Sequence, residues 1–167
     1  PASSSYFAVT LVTAFQVWRA RIGFSWQYLM QGVDYMQISD ATGPLPSAVH
    51  TVKPGDTIAD TVDLLSEHGI GAVVVTTDGS AVDGIISERD IVRFLAHEQE
   101  GTLRIPVEDL MTRSVITCSA NDQVDAVIDT MIKGRFRHMP VVDAAGSLCG
   151  LVSLADLTGV LLATRGA

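Results

Sequence analysis

Gly84-Ile85-Ile86-Ser87-Glu88-Arg89-Asp90 comes back further along the chain as Gly150-Leu151-Val152-Ser153-Leu154-Ala155-Asp156. The offset, 150 minus 84 or 66 residues, also lays Thr51 on Thr117, Asp56 on Asp122, Ile58 on Val124, Leu65 on Met131 and Val75 on Val141 without a gap. Self-similarity at a fixed period marks two copies of one structural unit. Each copy runs from glycine through two apolar residues to serine and aspartate, the pattern of a buried strand ending where a helix begins. Free backbone N–H groups and a helix dipole at such a junction hold anions. The repeat therefore points to two related sites.

Outward from that stretch, Val49 to Val52 predicts a short strand, Pro54-Gly55-Asp56-Thr57 a turn ending in a helix cap, and Ile58, Val62 and Leu65 a helical stripe. Gly71 to Thr76 is the continuous run of a buried strand, Asp78-Gly79-Ser80 a hairpin turn, and Val82 to Ile86 the returning strand. A helix from Ser87 then turns Ile91, Val92 and Leu95 inward. The second copy predicts a strand at Val115 to Thr117, a helix from Asp122 to Lys133, strands at His138 to Val142 and Ser147 to Val152, and a last helix from Ser153. The expected fold class is α/β (α+β): two β-α-β-β-α units related by a pseudo-two-fold axis. Three short strands are marginal alone, so the units should bury their apolar faces against each other in one compact module. The expected division is an N-terminal extension at 1–47, a first domain at 48–106 and a second at 107–167.

Composition narrows the function. With 47% hydrophobic and 18% charged residues the chain is globular, not disordered. A net charge of -8 disfavours attachment to nucleic acid or anionic membranes, because phosphate attracts the opposite sign. An anionic ligand must find a local cationic patch. Cys118 and Cys149 lack a CxxC spacing and are expected to pack as reduced, small apolar groups, which fits the cytoplasm. His50, His68 and His97 offer no paired metal-ligand spacing. No nucleophile elbow surrounds Ser87 and no glycine-rich phosphate loop is present, so no enzyme is expected.

Residues 6 to 30 carry Phe7, Leu11, Phe15, Trp18, Ile22, Trp26 and Leu29 at helical spacing, an amphipathic stripe suited to a partner chain. Arg19 and Arg21 stop its uncharged run short of a membrane span, and no basic region precedes it as in a secretory signal. The alternative is an extension foreign to the protein, with Met36 as the natural start.

Chemistry concentrates in a few side chains. Carboxylates accept from vicinal hydroxyls, so Asp90 and Asp156 suit a ribose, while Ser87 and Ser153 can donate to ribose or phosphate. The same Ser-x-x-Asp spacing is also a capping box, which only stabilises a helix. Lys133, Arg135, Arg137 and His138 gather cations in an acidic chain. On an extended segment Arg135 and Arg137 share a face while Phe136 turns inward, and guanidinium forks suit phosphate oxygens. The alternative is a solvated basic edge. His138 suits phosphate binding and a core hydrogen bond equally.

The copies have diverged: Leu154-Ala155 stands at the positions of Glu88-Arg89, and Ile70-Gly71-Ala72 at those of Phe136-Arg137-His138. Cations of one copy can thus serve a ligand whose ribose the other holds. The dominant site is expected at Asp156, in the copy that carries Arg135 and Arg137.

The chain resembles a tandem pair of cystathionine-β-synthase (CBS) domains, a Bateman module, over residues 48 to 164. Gly-Ala-Val-Val-Val at 71 to 75, the two Gly-to-Asp motifs, Asp-Leu-Met-Thr at 109 to 112 and Arg-Phe-Arg-His-Met-Pro-Val at 135 to 141 carry the resemblance. It implies a regulatory, energy-sensing module without catalysis or catalytic cofactor. An adenosine-containing ligand, AMP, ADP, ATP, NAD or S-adenosylmethionine, would lie in the inter-domain cleft against Ser87, Arg89, Asp90, Arg135, Arg137, His138, Pro140, Ser153 and Asp156. It also implies a disc-shaped homodimer and a regulated partner protein not identified by the sequence. Apolar helix faces around Ile91, Leu95, Leu157 and Leu161 are the expected dimer surface. Gly43-Pro44-Leu45-Pro46 departs from the family's lead-in, which Asp109-Leu110-Met111-Thr112 follows in the second copy. The alternative function is a structural dimerisation module with empty clefts.

Overall fold

Two three-stranded sheets of identical plan carry the chain in a computed structural model that describes residues 36–43, 49–96 and 101–165. The stripe at residues 6 to 30 lies outside the described residues. A short helix, α1 (Ile38–Thr42), precedes the first sheet. Strand β1 (Thr51–Val52) leads through helix α2 (Ile58–His68) to β2 (Ala72–Val75), which pairs parallel with it. Strand β3 (Gly84–Ser87) returns antiparallel beside β2, and helix α3 (Glu88–Leu95) follows. The second repeat runs β4 (Cys118–Ser119), α4 (Val124–Gly134), β5 (His138–Val142), β6 (Leu148–Ser153) and α5 (Leu154–Arg165) with the same pairing.

Local chemistry explains these boundaries. Thr57 starts α2 through a capping box: its hydroxyl accepts the Asp60 N–H at 3.2 Å and the Asp60 carboxylate accepts the Thr57 N–H at 2.9 Å. The middle strand β2 is buried at every residue, which is why its sequence runs apolar without alternation. Val73, Val75 and Ile86 pack with Ile58, Leu65 and Ile91 into the first core.

Each repeat is tied to the other by the segment that precedes it. Val107 and Glu108 donate their N–H groups to Asp56 and Pro54 at 2.8 and 3.0 Å, and Ile58 donates to Ile105 at 3.0 Å. In the mirror arrangement Ile38 and Ser39 donate to Asp122 and Ala120 at 3.0 and 2.9 Å, and Val124 donates to Met36 at 2.9 Å. Ile38 and Val107 are fully buried at these joints. The lead-in to the first repeat is therefore Met36 to Thr42, at an offset of 107 minus 38 or 69, three residues more than elsewhere. Those additional residues fall in the stretch that looked aberrant in sequence.

Three expectations are corrected. Strand β4 lies at Cys118–Ser119, not at 115 to 117. In the first sheet Thr51 pairs with Val74, but the counterpart of Val74 is Pro140. The Thr76 N–H, two residues on, bonds the Val52 carbonyl at 2.9 Å, so N–H groups of that parity point to the edge strand. Pro140 has none to offer, and the ladder starts one residue later, at Cys118 with Val141.

Second, Ile91, Leu157 and Leu161 are no dimer surface, being 4%, 0% and 2% exposed inside their own repeats. Third, Val92 faces outward at 63% exposure instead of inward; with Leu95 and Leu162 it forms the exposed apolar part of these helices.

Both cysteines are free, and burial pushes the Cys118 thiol up to about 12, leaving it a packing group. No described helix is long and apolar enough to cross a membrane.

Candidate functional site: two inter-domain clefts

Helix α3 begins beside the chain that leads into β5, and between them lies a cleft of about 160 Å³. The first repeat contributes Ser87, Arg89, Asp90 and Arg93, and the second contributes Arg135, Arg137 and His138. Thr112, also at its wall, exchanges backbone hydrogen bonds with Ile85 of β3 at 2.9 and 3.0 Å, which stitches the second repeat's lead-in to the cleft. The Asp90 Oδ2 atom accepts the Ser87 hydroxyl at 2.6 Å and the Ser87 N–H at 3.0 Å. The capping role is thus real; among the described residues no hydrogen bond falls on Oδ1, which remains for another donor.

The second cleft, about 430 Å³, is built the same way with the copies exchanged. Ser153 and Asp156 at the start of α5 face Val49, His50, Gly69, Ile70 and Gly71 of the first repeat. The Ser153 hydroxyl donates to Asp156 Oδ2 at 2.6 Å and accepts the Asp156 N–H at 3.1 Å. Ala72 and His138, counterparts at the 66-residue offset, each line both clefts, as a pseudo-two-fold axis between them requires.

Charge does not follow this symmetry. Arg89, Arg93, Arg135 and Arg137 converge on the Asp90 cleft, although the chain as a whole is acidic. Arg137 Nη2 lies 3.3 Å from Glu88 Oε1 and Arg89 Nη1 donates to the Arg135 carbonyl at 3.2 Å, both across the two repeats. The ion pair is about half exposed, so it contributes on the order of 0–1 kcal/mol and leaves Arg137 ready to change partner. Arg135 itself is the one non-glycine residue with positive φ, 58°, among the described residues. A left-handed conformation costs an L-residue about 1–2 kcal/mol, and such strain concentrates at functional sites.

His138 stands between the clefts, its ring 3.2 Å from where a Cβ on Gly71 would sit. Burial is the first cause that holds its pKa below the ordinary histidine value, and Arg137 the second, opposed by Glu88 and Asp156. It is a neutral imidazole near pH 7. His50 and His68 stack face to face, ring centroids 3.8 Å apart, an arrangement that does not aim two nitrogens at one metal ion.

Comparison with known proteins accords with this paired architecture. The CBS domain family matches residues 45–97 and again 107–163. The chain belongs to the CBS domain family. The CBS-domain containing protein ATU1752 from Agrobacterium tumefaciens superposes with a TM-score of 0.70 at 35% identity, covering 74% of this chain and 98% of that one. The CBS domain pair of protein MJ0100, solved in complex with 5′-methylthioadenosine and S-adenosyl-L-methionine, gives 0.68 at 25% identity over 78% and 98%. CBSX2 in complex with AMP gives 0.66 at 26% identity over 77% and 98%. CBS-domain pairs are generally regulatory modules.

Of the residues singled out in the sequence, the CBS pair brings Ser87, Arg89, Asp90, Arg135, Arg137 and His138 to one cleft and Ser153, Asp156 and His138 to the other. The arginines of the second CBS domain accompany Asp90, so the expected pairing with Asp156 is corrected: an inter-domain cleft draws its strand approach and its helix start from opposite domains. Pro140 lines neither cleft; it is buried within β5 opposite Leu151. Arg93, Thr112, Val115 and Ile116 line the Asp90 cleft and His50 the other, none of them a site residue on the sequence reading. Arg93 was discoverable, lying one helical turn beyond Arg89 on the same face.

Proposed function

We propose that this CBS-domain pair is a regulatory sensor whose Asp90 cleft binds a phosphorylated adenosine compound such as AMP, ADP, ATP or NAD. The observation that carries the reading is the convergence of four arginines, drawn from both CBS domains, on a cleft that also holds Ser87 and Asp90. Asp90 Oδ1 accepts from the ribose hydroxyls while Oδ2 stays in the cap. Arg135 and Arg137 take the phosphate as bidentate donors, with Arg89 and Arg93 adding local positive potential. S-adenosylmethionine, a cation at its sulfonium, suits this cleft poorly.

A ligand held by both CBS domains favours the relative orientation in which both sets of contacts form, and differential affinity of this kind is the means of signalling. The output would be a change in assembly or in contact with a regulated protein. Exposed Val92, Leu95 and Leu162 support a homodimer. A cytoplasmic setting agrees with the free thiols, Cys118 and Cys149.

Calorimetry with AMP tests the proposal. Arg137→Ala and Asp90→Ala should each weaken AMP roughly tenfold or more, the loss of one charge-assisted hydrogen bond. For adenosine the arginine change should matter little. Unchanged affinities in both variants would return Ser87 and Asp90 to a capping role alone.

A second reading, a dimerisation module with empty clefts, is favoured by one observation: helix capping alone accounts for Ser87 with Asp90 and for Ser153 with Asp156. Its signature is a dimer that adenine nucleotides do not stabilise against heat.

A further inference from the structure

Every arginine of the Asp90 cleft has a glycine or alanine at its counterpart, 66 residues away: Gly69 for Arg135, Gly71 for Arg137, Ala155 for Arg89 and Gly159 for Arg93. The Asp156 cleft nevertheless keeps the same serine and aspartate, with the same 2.6 Å hydroxyl-to-carboxylate bond as its twin. Its volume is about 430 Å³. Among the described residues no lysine or arginine lines it, and Asp156 is its one carboxylate.

From this we infer that the Asp156 cleft takes an adenosine-type ligand that bears no phosphate, either uncharged or cationic at its 5′ substituent. The inference rests on the reading above that these clefts accept adenosine compounds. A phosphate dianion entering here would shed water beside the Asp156 carboxylate and, among the described residues, meet no guanidinium, only His50, His138 and the start of α5. A neutral 5′ group escapes that cost, and a cationic one is attracted by Asp156. The ribose hydroxyls retain their acceptor in Asp156, and Val49, Ile70 and Leu151 offer apolar contact to a purine. The two clefts thus divide adenosine compounds by charge, with His138 as a shared wall.

The test is calorimetry on the full chain at pH 8, above the ordinary histidine range, with AMP and 5′-methylthioadenosine as probes. One equivalent of AMP is expected, weakened at least tenfold by Asp90→Ala and unchanged by Asp156→Ala. Binding of 5′-methylthioadenosine should fall roughly tenfold with Asp156→Ala and persist in Asp90→Ala. Gly69→Arg places an arginine in the backbone conformation that Arg135 already adopts, with no atom within 4 Å of the new Cβ, and should add a second AMP equivalent. Two AMP equivalents in the unaltered chain, or 5′-methylthioadenosine binding untouched by Asp156→Ala, would overturn the inference. AMP binding without 5′-methylthioadenosine binding would overturn it and leave the sensor reading standing. Failure of both probes to bind would overturn the two together.

Discussion

Gly69 and Arg135 end helices α2 and α4 in the same left-handed backbone conformation, with φ of 61° and 58°. The two positions are equivalent in the repeat, so the first CBS domain carries the residue the conformation favours and the second carries one that strains it. Relief of that strain should be measurable. Arg135→Gly is expected to stabilise the fold by about 1 kcal/mol and to raise the urea midpoint, while weakening AMP several-fold. A variant that gains stability with AMP affinity intact would remove Arg135 from the ligand.

Glu88 and Arg137 supply a second test. Their half-exposed ion pair occupies a guanidinium that the proposed phosphate would use, and Glu88 adds an unfavourable negative charge beside Arg137. Glu88→Gln should therefore cost the fold about 0.5 kcal/mol or less and tighten AMP two- to fivefold, by about 0.5–1 kcal/mol. Adenosine, lacking the phosphate, should bind unchanged. Equal tightening of both ligands would mean that Glu88 acts on the cleft's shape and not on its charge.

The sheets and helices are legible because the repeat compares the chain with itself: Val82 to Ile86 and Ser147 to Val152 both read as the returning strand, and both sheets have it. Two features escaped that logic. The placement of β4 depends on the missing N–H of Pro140, a single-atom effect invisible to apolar patterning. The lead-in at Met36 to Thr42 is recognisable through its hydrogen bonds to Ala120, Asp122 and Val124 on the opposite domain, contacts between residues far apart in sequence. The site was legible as to residue type but not as to partnership. In sequence Arg135 and Arg137 suit either a phosphate or a solvated edge, and the exchange of the two domains across the cleft places them beside Asp90.

His138 predicts a dependence of stability on pH. Its folded-state pKa is depressed, so between that value and the unfolded one near 6.5 the unfolded chain binds more protons. Its contribution is complete above about 6.5 and is lost as pH falls through the folded value. Asp60 and Asp78, held below the ordinary carboxylate value chiefly by a Thr57 side-chain bond and an Ala81 backbone bond, lose theirs only in more acidic solution, below about 4. Melting curves between pH 7.5 and 5.5 should show a fall in midpoint that is smaller in His138→Gln. An identical fall in both proteins would mean that His138 is not the group responsible.

The helices α3 and α5 separate folding from assembly within a few residues. Ile91 belongs to the first core, so Ile91→Ala should lower unfolding free energy by about 2–5 kcal/mol. Val92, next in sequence, is 63% exposed and Leu162 is 61% exposed, so neither contributes much to the interior. If the proposed homodimer uses these faces, Val92→Glu with Leu162→Glu introduces two buried charges at the interface, which associating chains cannot solvate. Sedimentation at micromolar concentration should then change from dimer to monomer, while circular dichroism remains that of the folded protein. A dimer that survives both glutamates would place the interface on another surface, and a chain already monomeric before substitution would exclude the homodimer from the mechanism of sensing.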